Sequence, residues 1–261
     1  MTGAQPLAGR TAIVTGGGRG IGRAVALTLA ARGADIVLLG RTERSLKETA
    51  VEIRLQSGSE AHARTLDVTD GDAVTRTFAG LIAELGPPAI LVNNAGGAES
   101  APFARLDREN WDATLALNLT SVYACTHAVL PAMLGAGDGR IVNIASTAGL
   151  EGYAYVAAYC AAKHGVVGLT RSLALEVEGK GITVNAVCPG YTETEMLQEA
   201  IRNIAAKTGR SEAEARNELA AANAGGRLVQ PDEVAEMVAA LCGPAANTVT
   251  GQAIEISGAN S

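Results

Sequence analysis

Residues 11–33 read TAIVTGGGRGIGRAVALTLAARG: a short β-branched run, a cluster of glycines, then a helical pattern. The apolar run TAIV suits a strand covered on both faces, and IVLL at 36–39 repeats the pattern. Between them, Gly16, Gly20 and Gly22 form a G-x-x-x-G-x-G turn, with Gly18, Arg19 and Ile21 inside it. Glycines at a strand-to-helix junction allow a tight turn, let backbone N–H groups approach a pyrophosphate, and let helix and strand pack closely. This junction is therefore read as a dinucleotide site.

The same alternation runs outward from that junction. Candidate strands are Thr11–Thr15, Asp35–Leu39, Ala61–Leu66, Ile90–Asn93, Arg140–Ser146, Ile182–Cys188 and Ala253–Ile256. Helical patterns lie between them, among them Ile21–Arg32, Arg44–Gln56, Asp70–Leu85 and Pro231–Cys242. Strand–helix alternation implies right-handed βαβ units and a parallel, doubly wound α/β sheet. No Pro- or Ser-rich linker interrupts it, so residues 1–261 are read as one domain. The stretch 193–226 breaks the rhythm with a long, polar, helix-prone insertion before the last strand. Ligands of doubly wound folds bind beyond the carboxyl ends of the strands, so this insertion is expected to be a lid.

Composition excludes several classes. A net charge of −6 argues against binding a nucleic-acid backbone. Cys125, Cys160, Cys188 and Cys242 show no metal-ligand spacing, which predicts reduced thiols, no metal and a cytoplasmic setting. The N-terminal MTGAQPLAGR lacks a signal-peptide pattern, and apolar runs are broken before spanning length, so no membrane segment is expected. With aromatic residues at 3%, the core must be aliphatic. Apolar residues on more than one face of the helices around Trp111–Leu134 and Ala154–Val177 predict assembly, as a homotetramer.

The second strand ends in Gly40-Arg41, where NAD-selective folds place a carboxylate for the ribose 2′-hydroxyl. Arg41 and Arg19 instead offer two guanidiniums suited to a 2′-phosphate, which favours NADP, with NAD as the alternative. Tyr159 and Lys163 stand four apart in AAYCAAKHGVVGLT and so share a helix face. A nearby ammonium is expected to lower the phenol pKa and make Tyr159 an acid/base for a carbonyl or alcohol. Ser146, at a strand's carboxyl end, is placed to hydrogen-bond the substrate oxygen. Asn118 in LALNLT is read as a mid-helix Asn, an unfavourable choice without a polar role.

Taken together, TGGGRGIG (15–22), Asp67-Val68, NNAG (93–96), Asn118, Ser146, YCAAK (159–163) and NAVCPG (185–190) with Thr192 and Thr194 resemble the short-chain dehydrogenase/reductase family. The resemblance implies a Rossmann-like fold with a seven-stranded parallel sheet. It implies Tyr159 as acid/base, Lys163 on the nicotinamide ribose, Ser146 orienting the carbonyl, and Asn118 anchoring a water that joins Lys163 to solvent. It places Asp67 and Val68 at the adenine, Asn94, Ala95 and Gly96 at the adenosine ribose and backbone, and Pro189, Gly190, Thr192 and Thr194 at the nicotinamide amide. Ala148, Tyr153 and Tyr191 are expected to line the substrate pocket.

Within the family the chain looks most similar to 3-oxoacyl thioester reductases and aromatic-polyketide ketoreductases. An NADP(H)-dependent ketone reductase is the leading expectation. An NAD-dependent alcohol or 3-hydroxyacyl-CoA dehydrogenase, and a non-catalytic dinucleotide-binding regulator, are the alternatives. The segments LGAGDGR and LEVEGKG carry little positive charge beyond Arg140, Arg171 and Lys180. An acidic carrier protein would gain little steering there, which leaves coenzyme A thioesters and free ketones open.

Overall fold

The computed structural model describes residues 5–259, so the first four residues of MTGAQPLAGR and the last two of the chain lie outside the described residues. Seven parallel strands form one sheet in the order β3-β2-β1-β4-β5-β6-β7. They are β1 (Thr11–Thr15), β2 (Asp35–Gly40), β3 (Ala61–Thr65), β4 (Ile90–Asn93), β5 (Gly139–Ile144), β6 (Ile182–Pro189) and β7 (Ala253–Ile256). All seven strands expected from the sequence form. β1, β4 and β7 keep the expected bounds, and the ends of β2, β3, β5 and β6 move by one or two residues, because hydrogen bonding to neighbours, and not hydrophobicity, sets where a strand stops. The order reverses between β1 and β4, and this switch point opens a crevice at the carboxyl ends.

Alternation along each strand sends side chains to two apolar layers. Ala12, Val14, Ile36, Leu38, Val92 and Val142 pack with α1 (Gly20–Ala31), α2 (Glu43–Ser57) and α9 (Pro231–Cys242). Ile13, Val37, Leu39, Leu91 and Ile141 pack on the other face with α3 (Gly71–Leu85), α5 (Ser121–Ala136) and α6 (Ala157–Glu176). Phe78 is the largest fully buried side chain, so the core is aliphatic as the composition required. Local chemistry starts the helices: Asp70 caps α3 through Ala73 N–H (2.9 Å), and Gln230 and Glu233 form a capping box with Pro231 at the first turn of α9.

The insertion forms two helices, α7 (Glu195–Thr208) and α8 (Glu212–Ala222). They share a small core of their own, Leu197, Ile201, Ala215, Leu219 and Leu228, against which Tyr191 packs. Glu193 accepts Arg216 Nη1 at 2.8 Å and Gln198 Nε2 at 2.5 Å, tying the base of the hairpin together.

Three expectations change. α4 (Arg108–Leu115) and α5 join through residues 116–120 into one helix, Arg108–Ala136. Its 29 residues are long and apolar enough, by length and composition alone, to cross a membrane, which a reading of unbroken apolar runs did not foresee. Val122, Cys125, Thr126, Val129 and Met133 bury one face of α5 in the molecule. The region around Asn118 is not a plain helix interior: Ala116–Thr120 is a π turn, where Ser121 N–H reaches Ala116 C=O. Arg140 is not a surface charge either. It is buried at the foot of β5 and donates to Gly139 and Gly181 carbonyls and to Asp138.

Candidate active site

The glycine turn fits a dinucleotide phosphate. Gly16 (φ +66°) and Gly20 (φ +51°) hold left-handed conformations that side chains rarely adopt. Arg19 stands at the N-cap of α1 without a side-chain capping bond, and no acidic residue lies in the first turn. The helix therefore presents unanswered N–H groups and its positive end to the crevice. Thr15 Oγ1 accepts Asn94 N–H (2.9 Å) and Ala95 N–H (3.0 Å), and Asn94 Nδ2 donates to Thr15 C=O (2.9 Å) and Gly16 C=O (3.3 Å). Asn94 thus spends its amide on holding the turn. A Cβ on Gly22 would sit 2.3 Å from Gly16 O and 2.4 Å from Asn94 Nδ2. Gly22→Ala is expected to cost about 1–3 kcal/mol of stability by overpacking, read in chemical denaturation.

Toward the adenosine end, Arg41 and Arg19 are exposed, and neither forms an ion pair among the described residues. Asp67 accepts Thr69 N–H (3.0 Å) and Thr69 Oγ1–H (2.7 Å), which hold its carboxyl below the usual range, with a smaller pull from Arg41. Val68 beside it is buried.

At the other end of the crevice, four sequence-predicted residues converge. Ser146 lies two residues past β5, not on its last position. There its Oγ caps the short turn Thr147–Gly149 by accepting Ala148 N–H at 3.1 Å. That turn presses on α6: a Cβ on Gly149 would lie 2.7 Å from Lys163 O. Tyr159, in the first turn of α6, stands beside the Ser146 side chain, which pulls its phenol pKa down. Lys163 Nζ donates to Ile144 C=O at 2.7 Å and stands 5.5 Å from the Tyr159 ring centroid. A Cβ on Gly96 would fall 2.9 Å from Asn118 Oδ1 and 3.6 Å from Lys163 Nζ, so the loop after β4 closes over both.

The buried surroundings decide the protonation states. Burial pushes the Tyr159 phenol up to about 12, against a smaller downward pull from the Ser146 side chain. The expected lowering by Lys163 is not found: burial dominates the shift, and Lys163, whose Nζ donates to Ile144 C=O, is not among the groups acting on the phenol. Burial also depresses Lys163 to about 8. Of its three N–H donors, Ile144 C=O takes one, leaving two for a ligand at Gly96. Both Asn118 donors are taken: Nδ2 donates to Gly97 C=O (2.8 Å) and Thr114 C=O (3.0 Å), while Oδ1 accepts Gly97 N–H (3.1 Å). The water expected to join Lys163 to solvent would therefore donate to a remaining Oδ1 lone pair or bond the Asn118 main chain.

On the substrate side, Tyr153 and Tyr191 meet edge to face at 6.2 Å. The Tyr153 hydroxyl lies 3.0 Å from Thr147 Oγ1 and 2.9 Å from Glu151 Oε1. Ala148 is buried in the turn below. Thr147, Tyr153, Asn223, Glu255 and Ser257 are among the residues lining a cavity of about 340 Å³ beside, not over, the Ser146–Tyr159 pair. Thr194 caps α7, its Oγ1 accepting Leu197 N–H (3.3 Å), while Thr192 Oγ1 donates to Gly190 C=O (2.9 Å), and Gly20 faces the Thr194 methyl. The starts of α1 and α7 are therefore neighbours.

Some supporting residues were not singled out in the sequence. Asn93 Nδ2 donates to Asn143 Oδ1 (2.9 Å) and Thr126 Oγ1 (3.0 Å), and Asn143 Nδ2 to Thr170 Oγ1 (2.9 Å). This buried polar ladder stiffens the floor under the site. An Asn inside each of two strands, a poor strand former, was the available signal. The four cysteines are free thiols, and burial pushes Cys188, next to Ser146, up to about 11.

The sequence pattern of the short chain dehydrogenase family matches residues 10–205. A putative ketoacyl reductase of Streptomyces coelicolor is 44% identical over 249 residues, 95% of each chain. A 3-oxoacyl-[acyl-carrier-protein] reductase of Vibrio cholerae is 37% identical over 252 residues, 97% of each. Among solved structures, a variant of actinorhodin polyketide ketoreductase crystallised with NADPH is 42% identical with a TM-score of 0.91, covering 99% of this chain and 97% of that one.

Proposed function

Because the chain belongs to the short-chain dehydrogenase family of oxidoreductases, we propose that it reduces a ketone, a 3-oxoacyl thioester or a related ketone, with NADPH. The observation that carries this reading is the Ser146–Tyr159–Lys163 cluster, half-buried at Ser146 and Tyr159 and buried at Lys163, with spare lysine donors beside Gly96. A bound nicotinamide dinucleotide supplies the hydride. The chain supplies the rest. Ser146 donates a hydrogen bond that holds the carbonyl oxygen, and Tyr159 delivers the proton as the oxygen gains charge. Lys163 holds the ribose hydroxyls and keeps positive charge near the phenol. Arg19 and Arg41 receive the 2′-phosphate, and the N–H groups at the start of α1 receive the pyrophosphate.

A phenol raised to about 12 is protonated near neutrality, the form that donates to a carbonyl oxygen. The lid helices α7 and α8 would cover the crevice when substrate is bound. The reading is tested by crossing NADPH and NADH with acetoacetyl-CoA, a tetralone-type ketone and simple ketones. No turnover with any pair would sink it.

The pH profile follows from Lys163. Its ammonium persists below about pH 8 and is lost above it, while Tyr159 stays protonated throughout. Initial-rate kcat/KM for reduction, which reports the free enzyme, is expected to decline through a limb near pH 8. A flat profile from pH 6 to 10 would remove Lys163's charge from the mechanism.

We also propose that the chain assembles, as a tetramer. Tyr123 (54% exposed), Leu134 and Leu175 (74%) stand open on α5 and α6, and only 33% of the most apolar stretch of helix Arg108–Ala136 is buried. Light scattering at micromolar concentration is expected to give four times the chain mass, and a monomer would refute assembly.

A further inference from the structure

Asn223 takes no part in the chemistry above, yet it is buried and polar, 5% exposed, where the lid returns to the body of the protein. It follows α8 in an extended conformation (φ −75°, ψ 144°). Its side chain does not cap its own helix. It reaches across 32 positions to the loop leaving β6, where Oδ1 accepts Tyr191 N–H at 2.8 Å and Nδ2 donates to Tyr191 C=O at 2.9 Å. The second Nδ2 hydrogen goes to Arg227 C=O at 2.7 Å. One amide therefore answers both main-chain groups of Tyr191, as a neighbouring strand would. The fit leaves no slack, since a Cβ on Gly190 would lie 2.3 Å from Asn223 Oδ1.

The held peptide carries a side chain that matters. The Tyr191 ring meets Tyr153 edge to face and packs on the lid core of Leu197, Ile201 and Leu219. Main-chain bonds hold the rest of the loop: Gly190 N–H to Ile256 C=O (2.9 Å), Glu193 N–H to Val229 C=O (2.9 Å), and Val229 N–H to Tyr191 C=O (3.0 Å), which shares that carbonyl with Asn223. Among the described residues, Asn223 is the only side chain that fixes the Tyr191 peptide itself.

We propose that Asn223 is a positioning residue for substrate selection: its amide fixes the Tyr191 peptide, and through it the aromatic wall that sorts ketones by bulk. This rests on Tyr191 lining the ketone pocket, as proposed above. With the latch gone, Tyr191 N–H loses its partner and its C=O keeps only Val229 N–H, so the wall loosens and discrimination relaxes.

The test is the ratio of kcat/KM for a tetralone-type bicyclic ketone to that for a small acyclic ketone, with NADPH, well below each variant's Tm. Asn223→Ala is expected to move the ratio at least fivefold toward unity, with the NADPH Kd held within twofold. Asn223→Asp keeps the volume and the Oδ1 acceptor but replaces Nδ2, with its two N–H donors, by an oxygen that would face the Tyr191 and Arg227 carbonyls, and it is expected to shift the ratio as Ala does. Gly190→Ala, which pushes the amide out, is expected to shift the ratio the same way, and to add nothing in the Asn223→Ala background. An Asp variant matching wild type would show that the Nδ2 donors do not hold the wall, and would overturn the proposal. So would a lowered Tm with an unchanged ratio. If Asn223→Ala does not fold, the Asp and Gly190 variants decide. A wild type that reduces neither ketone would overturn the proposed function and this inference with it, whereas an active wild type with unmoved variants would overturn the latch alone.

Discussion

Tyr159→Phe is expected to lower kcat for ketone reduction by about 10²–10⁴-fold, the usual contribution of a positioned general acid. The substitution removes one oxygen and one proton. The ring, which lies 5.5 Å from the Lys163 ammonium, stays, and so does the bond from Lys163 to Ile144 C=O. NADPH affinity and Tm should therefore change little, so a fall in kcat can be assigned to the lost proton. Ser146 then remains as a hydrogen-bond donor but has no neighbouring acid of its own, since Cys188 is a buried thiol held near 11. The measurement is single-turnover reduction followed at the nicotinamide absorbance. A variant that kept more than about a tenth of wild-type kcat, a loss under about 1.4 kcal/mol, would show that another group delivers the proton.

The second large effect concerns the dinucleotide. Gly40→Asp combined with Arg41→Ala is expected to swing the kcat/KM ratio at least about tenfold from NADPH toward NADH. Gly40 ends β2 at the switch-point side of the sheet, and a Cβ there meets only the Leu46 side chain, at 3.4 Å. An Asp side chain is therefore accommodated, and it would repel a 2′-phosphate while accepting a 2′-hydroxyl. Arg41 is exposed and has no ion pair to lose, so its removal acts on the ligand and not on the fold. A charge-assisted contact to phosphate is worth roughly 1.5–3 kcal/mol, about ten- to a hundredfold. Steady-state kinetics with both dinucleotides checks this. A wild type that already prefers NADH would show that Arg19 and Arg41 do not meet the 2′-position, and would bring the oxidative alcohol dehydrogenase reading forward.

Much of the site could be read directly along the chain because its parts are local. The glycine turn, its strand and its helix are contiguous in residues 11–33, and Tyr159 and Lys163 share a helix face by spacing alone. The strand–helix alternation likewise carried the parallel sheet, since strands buried on both faces need continuous apolar runs. Arg19 and Arg41, and the missing carboxylate between them, were legible for the same reason: each follows its strand within a few residues.

Other features depend on distant partners. The π turn at Asn118 is not a propensity effect. It accompanies an amide committed to Gly97 and Thr114, and Gly97 lies 21 residues away. The sign of the Tyr159 shift could not be read from its spacing to Lys163, because desolvation depends on everything packed around the phenol. Arg140 looked like a surface charge until the fold enclosed it between β5, Gly181 and Asn247. Asn223 in the run AANAGG gave no signal at all, since its partner Tyr191 is 32 residues away and bound through main chain. Sequence by itself determined the elements, their parallel order and the chemical groups on offer, because periodicity and turn chemistry act over a few residues. Burial, protonation and the latch on Tyr191 were decided only by the tertiary structure, because each depends on contacts between segments far apart in the chain.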